Sequence, residues 1–258
     1  MNKLIAGYFV GEFGWSLMRW QGILRHIAPN YDHITIGCER SMSFLYEDIA
    51  NEFLYFEDLG ISINSRNMWM ANQNVYEMPH HKGDNYFKPC RDICLSNGNY
   101  HQNYIKFGRY DKRCEYDLLI HARSTNNFNT GYRNWHHDNW CKLVKEFGTL
   151  KIASIGSKGG ALSIPGTKDL RGISLKQLSN TMASSKLFIS PSSGPGHFAS
   201  LCGCKHLIWS DIKDQGLYNN MERWLENWNP FKIHCTFIPK WQPTVNQVIG
   251  EVNKCLSR

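Results

Sequence analysis

The fold is indicated most clearly by residues 187–201, which read LFISPSSGPGHFASL. An apolar run, Leu187–Ile189, meets a turn of serine, proline and glycine, and a short apolar helical pattern follows at once. The first N–H groups of a helix have no partner inside the helix, and the helix dipole places partial positive charge there. Small residues let a phosphate approach that backbone, and the hydroxyls of Ser192 and Ser193 add donors. The pattern fits an anion site at a strand-to-helix turn, and it also fits an ordinary turn of this kind.

Predicted strands and helices alternate along most of the chain. The patterns indicate strands at 3–10, 33–37, 116–121, 151–155, 186–189 and 205–209, and helices at 15–27, 41–53, 137–147, 174–184 and 244–256. Two of the helices begin with a capping-box pattern, at Ser174 and Thr244, because glutamine follows three residues later in each. Parallel strands need crossover connections, which are usually helical, so this order predicts an α/β protein with parallel sheets.

The chain is long enough for one large domain or two small ones, since it has 258 residues. A strand–helix–strand unit opens it, a polar stretch rich in Asn, Tyr and His covers 57–112, and the strand–helix pattern restarts at Tyr116. We therefore predict a first domain over 1–112 and a second over 113–240. We expect the last segment, 241–258, to pack its helix back on the first domain.

Composition narrows the class of protein. A hydrophobic fraction of 42% with 20% charged residues is typical of a globular protein, and no stretch approaches the ~18 apolar residues that span a bilayer. The apolar run at the N-terminus is too short for a secretory signal, and the nine cysteines form neither a C-x-x-C nor a zinc spacing. Reduced thiols and a cytoplasmic location are expected. The net charge of +7 fits an anionic substrate, such as a nucleotide, lipid phosphate or nucleic acid, and equally a basic protein without such a partner.

Ligands of parallel sheets bind beyond the carboxyl ends of the strands. Four predicted turns lie at such ends, after Val10, His121, Ile155 and Ile189, and together they form one candidate crevice. Glu12, in the first turn, is either a general base facing that crevice or a carboxylate that pairs with the dipole of the next helix.

Basic side chains follow the strands of the second half. Arg123 either holds phosphate oxygens with its bidentate fork or forms a surface ion pair, and Arg133 with Trp135 offers a second cation and a stacking surface. The segment 169–172 either lines a base or ribose site or is a surface loop. His197 either contacts a phosphate from the first helical turn or packs in the interior.

Several motifs of common enzyme classes are absent from the sequence. It has no G-x-G-x-x-G after a first strand, no Walker lysine loop, no G-x-S-x-G elbow and no D-x-D at a strand end. These absences disfavour hydride transfer, ATP-driven chemistry and serine hydrolysis. The pairs His80-His81 and His136-His137 predict no metal site, because adjacent histidines point in different directions and no third ligand is placed. We expect no cofactor.

The order of motifs in the second half matches a known pattern. The first strand is followed by a His-x-Arg loop, then by Arg-x-Trp and a helix. The next strand is followed by a glycine turn, by Asp-Leu-Arg-Gly and by a capped helix. The motif Ser-Gly-Pro-x-His-Phe-Ala comes after these elements. Residues 116–211 thereby resemble the donor domain of GT-B glycosyltransferases, in particular the heptosyltransferase-like group, glycosyltransferase family 9. The first 30 residues resemble it loosely and 57–112 are not covered. The His-x-Arg motif is also similar to that of GDP-fucose-using transferases.

The resemblance implies two Rossmann-like domains that face a cleft, with the acceptor bound by the first and a nucleotide sugar by the second. It implies that the turn 193–197 binds the diphosphate, that Arg123 and Arg133 neutralise its charge, and that Glu12 is the base where the family carries aspartate. The implied catalytic and donor-binding set is Gly11, Glu12, Gly14, His121, Arg123, Arg133, Gly156, Arg171, Ser192, Ser193, Gly194, Gly196 and His197.

The expected activity is metal-independent transfer of a hexose or heptose from a nucleotide-diphosphate sugar to a hydroxyl of an anionic glycan, a lipid-linked acceptor or lipopolysaccharide. Two alternatives stay open. One is glycosyl transfer to modified bases in DNA, which the positive charge and the aromatic residues of 57–112 would suit. The other is a non-catalytic module that binds sugar nucleotides or nucleic acid.

Overall fold

The computed structural model describes residues 2–7, 9, 12–59, 85–87, 101–126, 130–211 and 221–257. Contacts between Cα atoms divide the chain into two compact units, Met1–Tyr104 and Ile105–Arg258. The sequence places the boundary after residue 112, within the second of these units.

The first unit contains a four-stranded parallel sheet. Its strands are β1 (Lys3–Ala6), β2 (His33–Cys38), β3 (Glu52–Tyr55) and β4 (Asn85–Phe87), in the order β3-β2-β1-β4. Between β1 and β2 runs a helical segment that we call the first helical run: α1 (Phe13–Trp15), a π-helical turn (Ser16–Trp20) and α2 (Gln21–Ile27). Short 3₁₀ turns cover Ala28–Asn30, Arg40–Tyr46 and Phe56–Leu59.

The second unit contains a six-stranded parallel sheet and a small antiparallel pair. The sheet strands are β5 (Leu118–Ile120), β7 (Ile152–Ser154), β9 (Lys168–Asp169), β10 (Leu187–Pro191), β11 (His206–Trp209) and β12 (Cys235–Ile238), in the order β12-β11-β10-β5-β7-β9. The pair consists of β6 (Ala122–Arg123) and β8 (Ala161–Leu162). The helices are α3 (His137–Glu146), α4 (Leu175–Ser184), α5 (Gly194–Leu201) and α6 (Val245–Leu256), with short 3₁₀ turns at Lys112–Cys114 and Gly131–Arg133 and a π-helical turn at Arg223–Asn227.

Three tryptophans form the centre of the core of the second unit. Trp135, Trp140 and Trp209 are buried, and their ring centroids lie 4.9, 5.4 and 5.5 Å apart. The indole N–H of Trp135 donates to the carbonyl of Pro243 at 2.8 Å, which satisfies that buried donor. Such large side chains supply much of the apolar area that stabilises a sheet between helices.

The structure confirms the predicted α/β class with parallel sheets. It also confirms the capping box at Ser174, whose hydroxyl accepts from the Gln177 backbone N–H while the Gln177 side chain accepts from the Ser174 N–H. Thr244 caps α6 through its hydroxyl, which accepts from the Gln247 N–H at 3.3 Å.

Three expectations differ from the structure. The predicted helix over 41–53 is a 3₁₀ turn followed by β3, because Asn51 exchanges hydrogen bonds with the backbone of Ile34 in β2 and so starts a strand. Strand β12 was not predicted from the sequence. The last helix, expected on the first domain, buries Val248, Val252 and Cys255 in the core of the second unit beside α3.

In the ranges that the structure describes, no helix combines the length and the apolar character that crossing a membrane requires.

Candidate active site

Three of the four predicted turns meet at one edge of the second unit's sheet. Strands β7, β5 and β10 are neighbours and parallel, so the residues after each strand lie at the same edge. Direct contacts join the three turns: His121 Nδ1 lies 3.1 Å from Ser193 Oγ, and the Ser124 N–H donates to the Gly160 carbonyl at 3.0 Å. The fourth turn follows β1 and belongs to the first unit.

The serine-rich turn, residues 192–196, is held by residues at the ends of the two strands that flank β10. Strand β10 continues to Pro191, and the Ser192 N–H donates to the Trp209 carbonyl at 2.8 Å. Ser193 is the N-cap of α5 in an extended conformation, with Gly194 and Pro195 in the first helical turn. Its hydroxyl makes no capping bond; instead it lies 3.1 Å from the His121 ring. The turn therefore presents a helix start to the sheet edge while its hydroxyl is held by a neighbouring strand.

His121 is a neutral, buried side chain. Burial, followed by the positive charge of Arg123, lowers its pKa to about 3. Gly156 packs against it with φ of +121°, and a Cβ added there would lie 2.7 Å from the His121 Cδ2 atom. Because of this φ and this contact, only glycine fits at position 156 without strain. His121 contributes a hydrogen-bonding ring to the site and no charge near pH 7.

Arg123 holds the loop that follows it. Its Nη1 donates to the carbonyls of Thr125 (2.8 Å) and Thr130 (3.0 Å) and to the Asn134 side chain, and its Nη2 donates to Thr130 Oγ1 at 2.7 Å. The side chain is buried. These contacts are those of a residue that positions 124–126 and 130–134, where the sequence suggested a phosphate contact or a surface ion pair. The guanidinium donors that would clamp a phosphate are directed at the loop.

Arg133 connects this loop to the serine-rich turn. Its Nη2 donates to the Ser192 carbonyl, and its guanidinium carbon lies 4.9 Å from the centroid of the Trp241 ring. The side chain is partly exposed. Trp135, expected as a stacking surface, is instead part of the tryptophan core, and Trp241 takes that place. The sequence carried no signal for Trp241, because it lies far along the chain from Arg133.

His197 packs in an aromatic cluster beneath the turn. Its ring is stacked on Trp224 with centroids 4.2 Å apart and an interplanar angle of 2°, and it meets the edge of Trp228 at 4.8 Å. Burial, then the charges of His206 and Arg133, lowers its pKa to about 3. Packing is therefore the main role that its contacts indicate. Neither tryptophan was singled out from the sequence, since both lie beyond the motif region.

Arg171 braces the next strand end. Its guanidinium binds Asp169 through two bonds of 2.9 Å and donates to the Ala161 carbonyl at 2.8 Å. The hydrogen bonds from Arg171 hold the pKa of Asp169 well below its usual range. The predicted wall at 169–172 is thus a fixed element beside Gly156.

In the first unit, the structure describes two of the three candidates. Gly11 lies outside the described residues. Glu12 is the exposed N-cap of α1, and its carbonyl accepts from the N–H groups of Trp15 and Ser16 at 3.0 and 3.1 Å. Its carboxylate makes no capping bond to the helix, and Gly14 lies inside α1. The carboxylate of Glu12 is therefore exposed at the carboxyl side of β1.

Among the residues with described positions, no three His, Cys, Asp or Glu side chains lie close enough to hold a metal ion. His136 and His137 are exposed at the start of α3 beside Asp138, and His80 and His81 lie outside the described ranges.

Comparison with known proteins shows that this chain shares its fold with solved structures of glycosyltransferases. No family model and no curated protein matches the sequence. Among solved structures, E. coli ADP-heptose lps heptosyltransferase II has a TM-score of 0.62 at 13% identity, covering 100% of this chain and 99% of that one. The family 9 glycosyl transferase from Veillonella parvula DSM 2008 has 0.61 at 12% (99% and 97%). E. coli heptosyltransferase WaaC with ADP has 0.57 at 10% (99% and 100%). The predicted resemblance to family 9 of the GT-B glycosyltransferases is confirmed for the fold.

Proposed function

We propose that this chain is a glycosyltransferase that moves a sugar from a nucleoside-diphosphate sugar to an acceptor hydroxyl. The observation that carries the proposal is the junction of three strand ends at the start of α5, with Arg133 bonded to the Ser192 carbonyl there. A solved relative in fold, E. coli heptosyltransferase WaaC, is described with ADP, which supports a nucleoside diphosphate as the leaving group.

The donor diphosphate would lie on the turn from Ser193 to His197. The helix dipole and the first N–H groups of α5 favour an anion there. The half-buried Arg133 places its guanidinium at the Ser192 carbonyl, and Arg123 keeps its loop in place. As the bond between the anomeric carbon and the diphosphate oxygen breaks, the electron pair leaves with that oxygen. Fixed donors stabilise the growing negative charge without having to reorganise.

Glu12 would take the proton from the acceptor hydroxyl while that oxygen forms the new bond to the anomeric carbon. Its exposed carboxylate makes no capping bond, which leaves it available for this transfer. Gly156 and the braced segment with Arg171 would frame the nucleoside at the adjacent strand ends.

We propose an anionic glycan or a lipid-linked sugar as the acceptor, and a hexose or heptose as the transferred unit. Metal independence and a cytoplasmic location are part of it as well. The free thiols of the described cysteines, among them Cys38 and Cys202, suit a reducing compartment.

A thermal-shift screen tests the donor site. Of ADP, UDP, GDP and CMP, we expect one of the three diphosphates to raise the melting temperature of the full chain, because a ligand that binds only the folded state stabilises it. The shift should persist in EDTA, and Arg133→Ala should reduce it. If none of the four nucleotides stabilises the protein, or if the shift requires a divalent ion, the corresponding part of the proposal is wrong.

A further inference from the structure

The side chain of Tyr132 is exposed beside the proposed donor site. Tyr132 lies in the 3₁₀ turn Gly131–Arg133, and 53% of its surface is accessible to solvent. A single exposed tyrosine is common on protein surfaces, so exposure by itself assigns no role to this residue. What distinguishes Tyr132 is how firmly the fold holds it and where it lies along the sheet.

The backbone of Tyr132 is fixed from two directions. Within the turn, the Arg133 N–H donates to the Thr130 carbonyl at 3.0 Å. From the segment after β12, the side-chain amide of Gln242 donates to the Tyr132 carbonyl at 2.7 Å and to the Asn134 carbonyl at 3.1 Å. The turn is thus tied to a segment 110 positions away along the chain, and the fold sets the place of Tyr132.

An aromatic contact holds the ring of Tyr132. It meets the ring of Trp241 edge-on, with centroids 5.7 Å apart and an interplanar angle of 81°. Trp241 is only 7% exposed, and the guanidinium carbon of Arg133 lies 4.9 Å from the centroid of the same indole. A tyrosine that is already ordered in this way loses little further conformational entropy when a ligand packs on it. We call Tyr132, Arg133 and Trp241 the aromatic corner.

The aromatic corner lies on the β12 side of the serine-rich turn. The strands of the sheet follow the order β12-β11-β10-β5-β7-β9, with neighbours ~4.8 Å apart. Gly156 follows β7 and Trp241 follows β12, so these two residues lie on opposite sides of the turn after β10. Arg133 links the corner to that turn, because its Nη2 donates to the Ser192 carbonyl.

The three parts of a nucleoside-diphosphate sugar match this order of strand ends. In the proposed donor site the nucleoside is framed by Gly156 and Arg171, and the diphosphate lies on the serine-rich turn. The sugar is bonded to the second phosphate, on the side away from the nucleoside, so it extends toward β11 and β12. Tyr132 precedes Arg133 in the chain and contacts the same indole, so it lies on that side.

We propose that the ring of Tyr132 stacks on the transferred sugar of the donor, and that this sugar is a pyranose. A six-membered sugar ring directs axial C–H groups to its faces, and these groups pack against the negative face of an aromatic ring. A nucleobase would stack as well, but it belongs to the end of the donor at β7 and β9. The proposal rests on the proposed function, because it assigns the sugar subsite of the same donor site to Tyr132.

Isothermal titration of the full chain tests the stacking. The probes are ADP with ADP-glucose, UDP with UDP-glucose or GDP with GDP-mannose, according to the nucleotide that the donor screen selects. In Tyr132→Ala we expect the Kd of the nucleotide sugar to rise about fivefold, since an aromatic contact is lost, and the Kd of the nucleoside diphosphate to stay unchanged. Tyr132→Phe keeps the ring and should bind both ligands as the wild type does.

Tyr110→Ala is the matched control for the loss of an exposed tyrosine. Tyr110 is 67% exposed, and the next residue donates its N–H to Ser184 Oγ at the end of α4. Because α4 ends just before β10 begins, this tyrosine lies at the opposite edge of the sheet. Tyr110→Ala should change neither Kd. If Tyr132→Ala melts well below the wild type, Tyr132→Leu replaces it, since leucine keeps apolar bulk against Trp241 without an aromatic ring.

Methyl pyranosides test the sugar contact without a nucleotide. In saturation-transfer NMR with the methyl glycosides of glucose, galactose and mannose, we expect transfer from the protein to ring C–H protons of at least one of them. The signal should be lost in Tyr132→Ala and kept in Tyr110→Ala.

The outcomes separate the sugar contact from the proposed function. Where a nucleotide binds, unchanged Kd values in Tyr132→Ala, or equal changes for the nucleoside diphosphate and the nucleotide sugar, overturn the sugar contact and leave donor binding intact. Where no nucleotide binds, glycosyl transfer falls and the methyl pyranosides decide. The sugar contact then stands if their signal depends on Tyr132, and it falls if the signal is absent or persists in Tyr132→Ala.

Discussion

At the start of the helix after β10, Gly196 leaves no room for a side chain. A Cβ at this position would lie 2.9 Å from Ile208 Cδ1 and 2.9 Å from Trp224 Cη2. The sequence suggested this glycine as part of an anion site, and the structure gives it a packing role between α5, β11 and the aromatic cluster. A glycine that belongs to a binding motif can thus be needed because its neighbours leave no space for a side chain.

Gly196→Ala should lower the free energy of unfolding by about 1–3 kcal/mol, because overpacking forces neighbours apart. Gly250→Ala is a matched control, since α6 leaves open space around that Cβ. It should raise the free energy of unfolding by about 0.5–1 kcal/mol through helix propensity. Urea denaturation of both variants checks the pair, and a neutral Gly196→Ala would contradict the contact.

Glu12→Gln should reduce kcat by about 10²-fold or more while leaving nucleotide affinity unchanged, because general-base catalysis contributes that much and the diphosphate lies elsewhere. Steady-state transfer assays with a donor titration measure both quantities. A variant with the wild-type kcat would remove Glu12 from the mechanism.

Buried histidines make stability depend on pH. The folded-state pKa values of His121, His197 and His206 are about 3, 3 and 4, below the ordinary 6.5. Their neutral forms are favoured by folding, so this stabilisation is complete above about pH 6.5 and is lost as the pH falls, toward 4 for His206 and toward 3 for His121 and His197. Each contributes at most ~1.4 kcal/mol per pH unit in that window.

We therefore expect the free energy of unfolding to decrease between pH 6.5 and 5, where unperturbed carboxylates are still ionised. His197→Phe keeps a ring against Trp224 and should reduce the slope by up to ~1.4 kcal/mol per pH unit. Urea titrations at several pH values measure the slope. Equal stability at pH 6.5 and 5 would show that these rings are protonated at little cost.

At the scale of elements, the loop 124–134 is held by a side chain at its own beginning. Arg123 donates hydrogen bonds to Thr125, Thr130 and Asn134. These bonds fix where Arg133 contacts the serine-rich turn. The pattern His-x-Arg lies at a strand end of the second unit, but the partners of Arg123 depend on how the loop folds back. Such backbone contacts leave no sequence pattern.

Arg123→Lys should weaken nucleotide binding about tenfold through the position of Arg133, because a lysine cannot serve all these acceptors at once. Isothermal titration with the nucleotide found in the screen measures the loss. Arg171→Lys is the comparison at the neighbouring strand end. If Arg123→Lys binds as tightly as the wild type, the loop does not depend on the fork.

For the whole molecule, the sequence predicted the α/β class, the parallel sheets and the junction of strand ends in the second unit, because strand and helix periodicity follow from local residues. It misassigned 41–53, since the pairing of Asn51 with β2 is a long-range contact. It missed Trp224 and Trp241 for the same reason. Burial and partners are properties of the folded chain.

Nucleotide binding should slow the exchange of backbone amides in one region of the second unit. In hydrogen-exchange experiments we expect protection of 121–126, 155–160 and 192–198, which lie at one sheet edge of the second unit. Backbone amides of β2, in the first unit, serve as the internal reference and should exchange unchanged. Protection of β2 without protection of the serine-rich turn would place the nucleotide elsewhere.

The tryptophan core has an optical consequence. Indoles whose ring centres are 4.9 to 5.5 Å apart couple their electronic transitions, so Trp135, Trp140 and Trp209 should give a strong signal in near-ultraviolet circular dichroism. All three belong to the second unit, so this signal follows the melting of that unit by itself. The protein thus carries its own spectroscopic probe for the half that holds the proposed donor site.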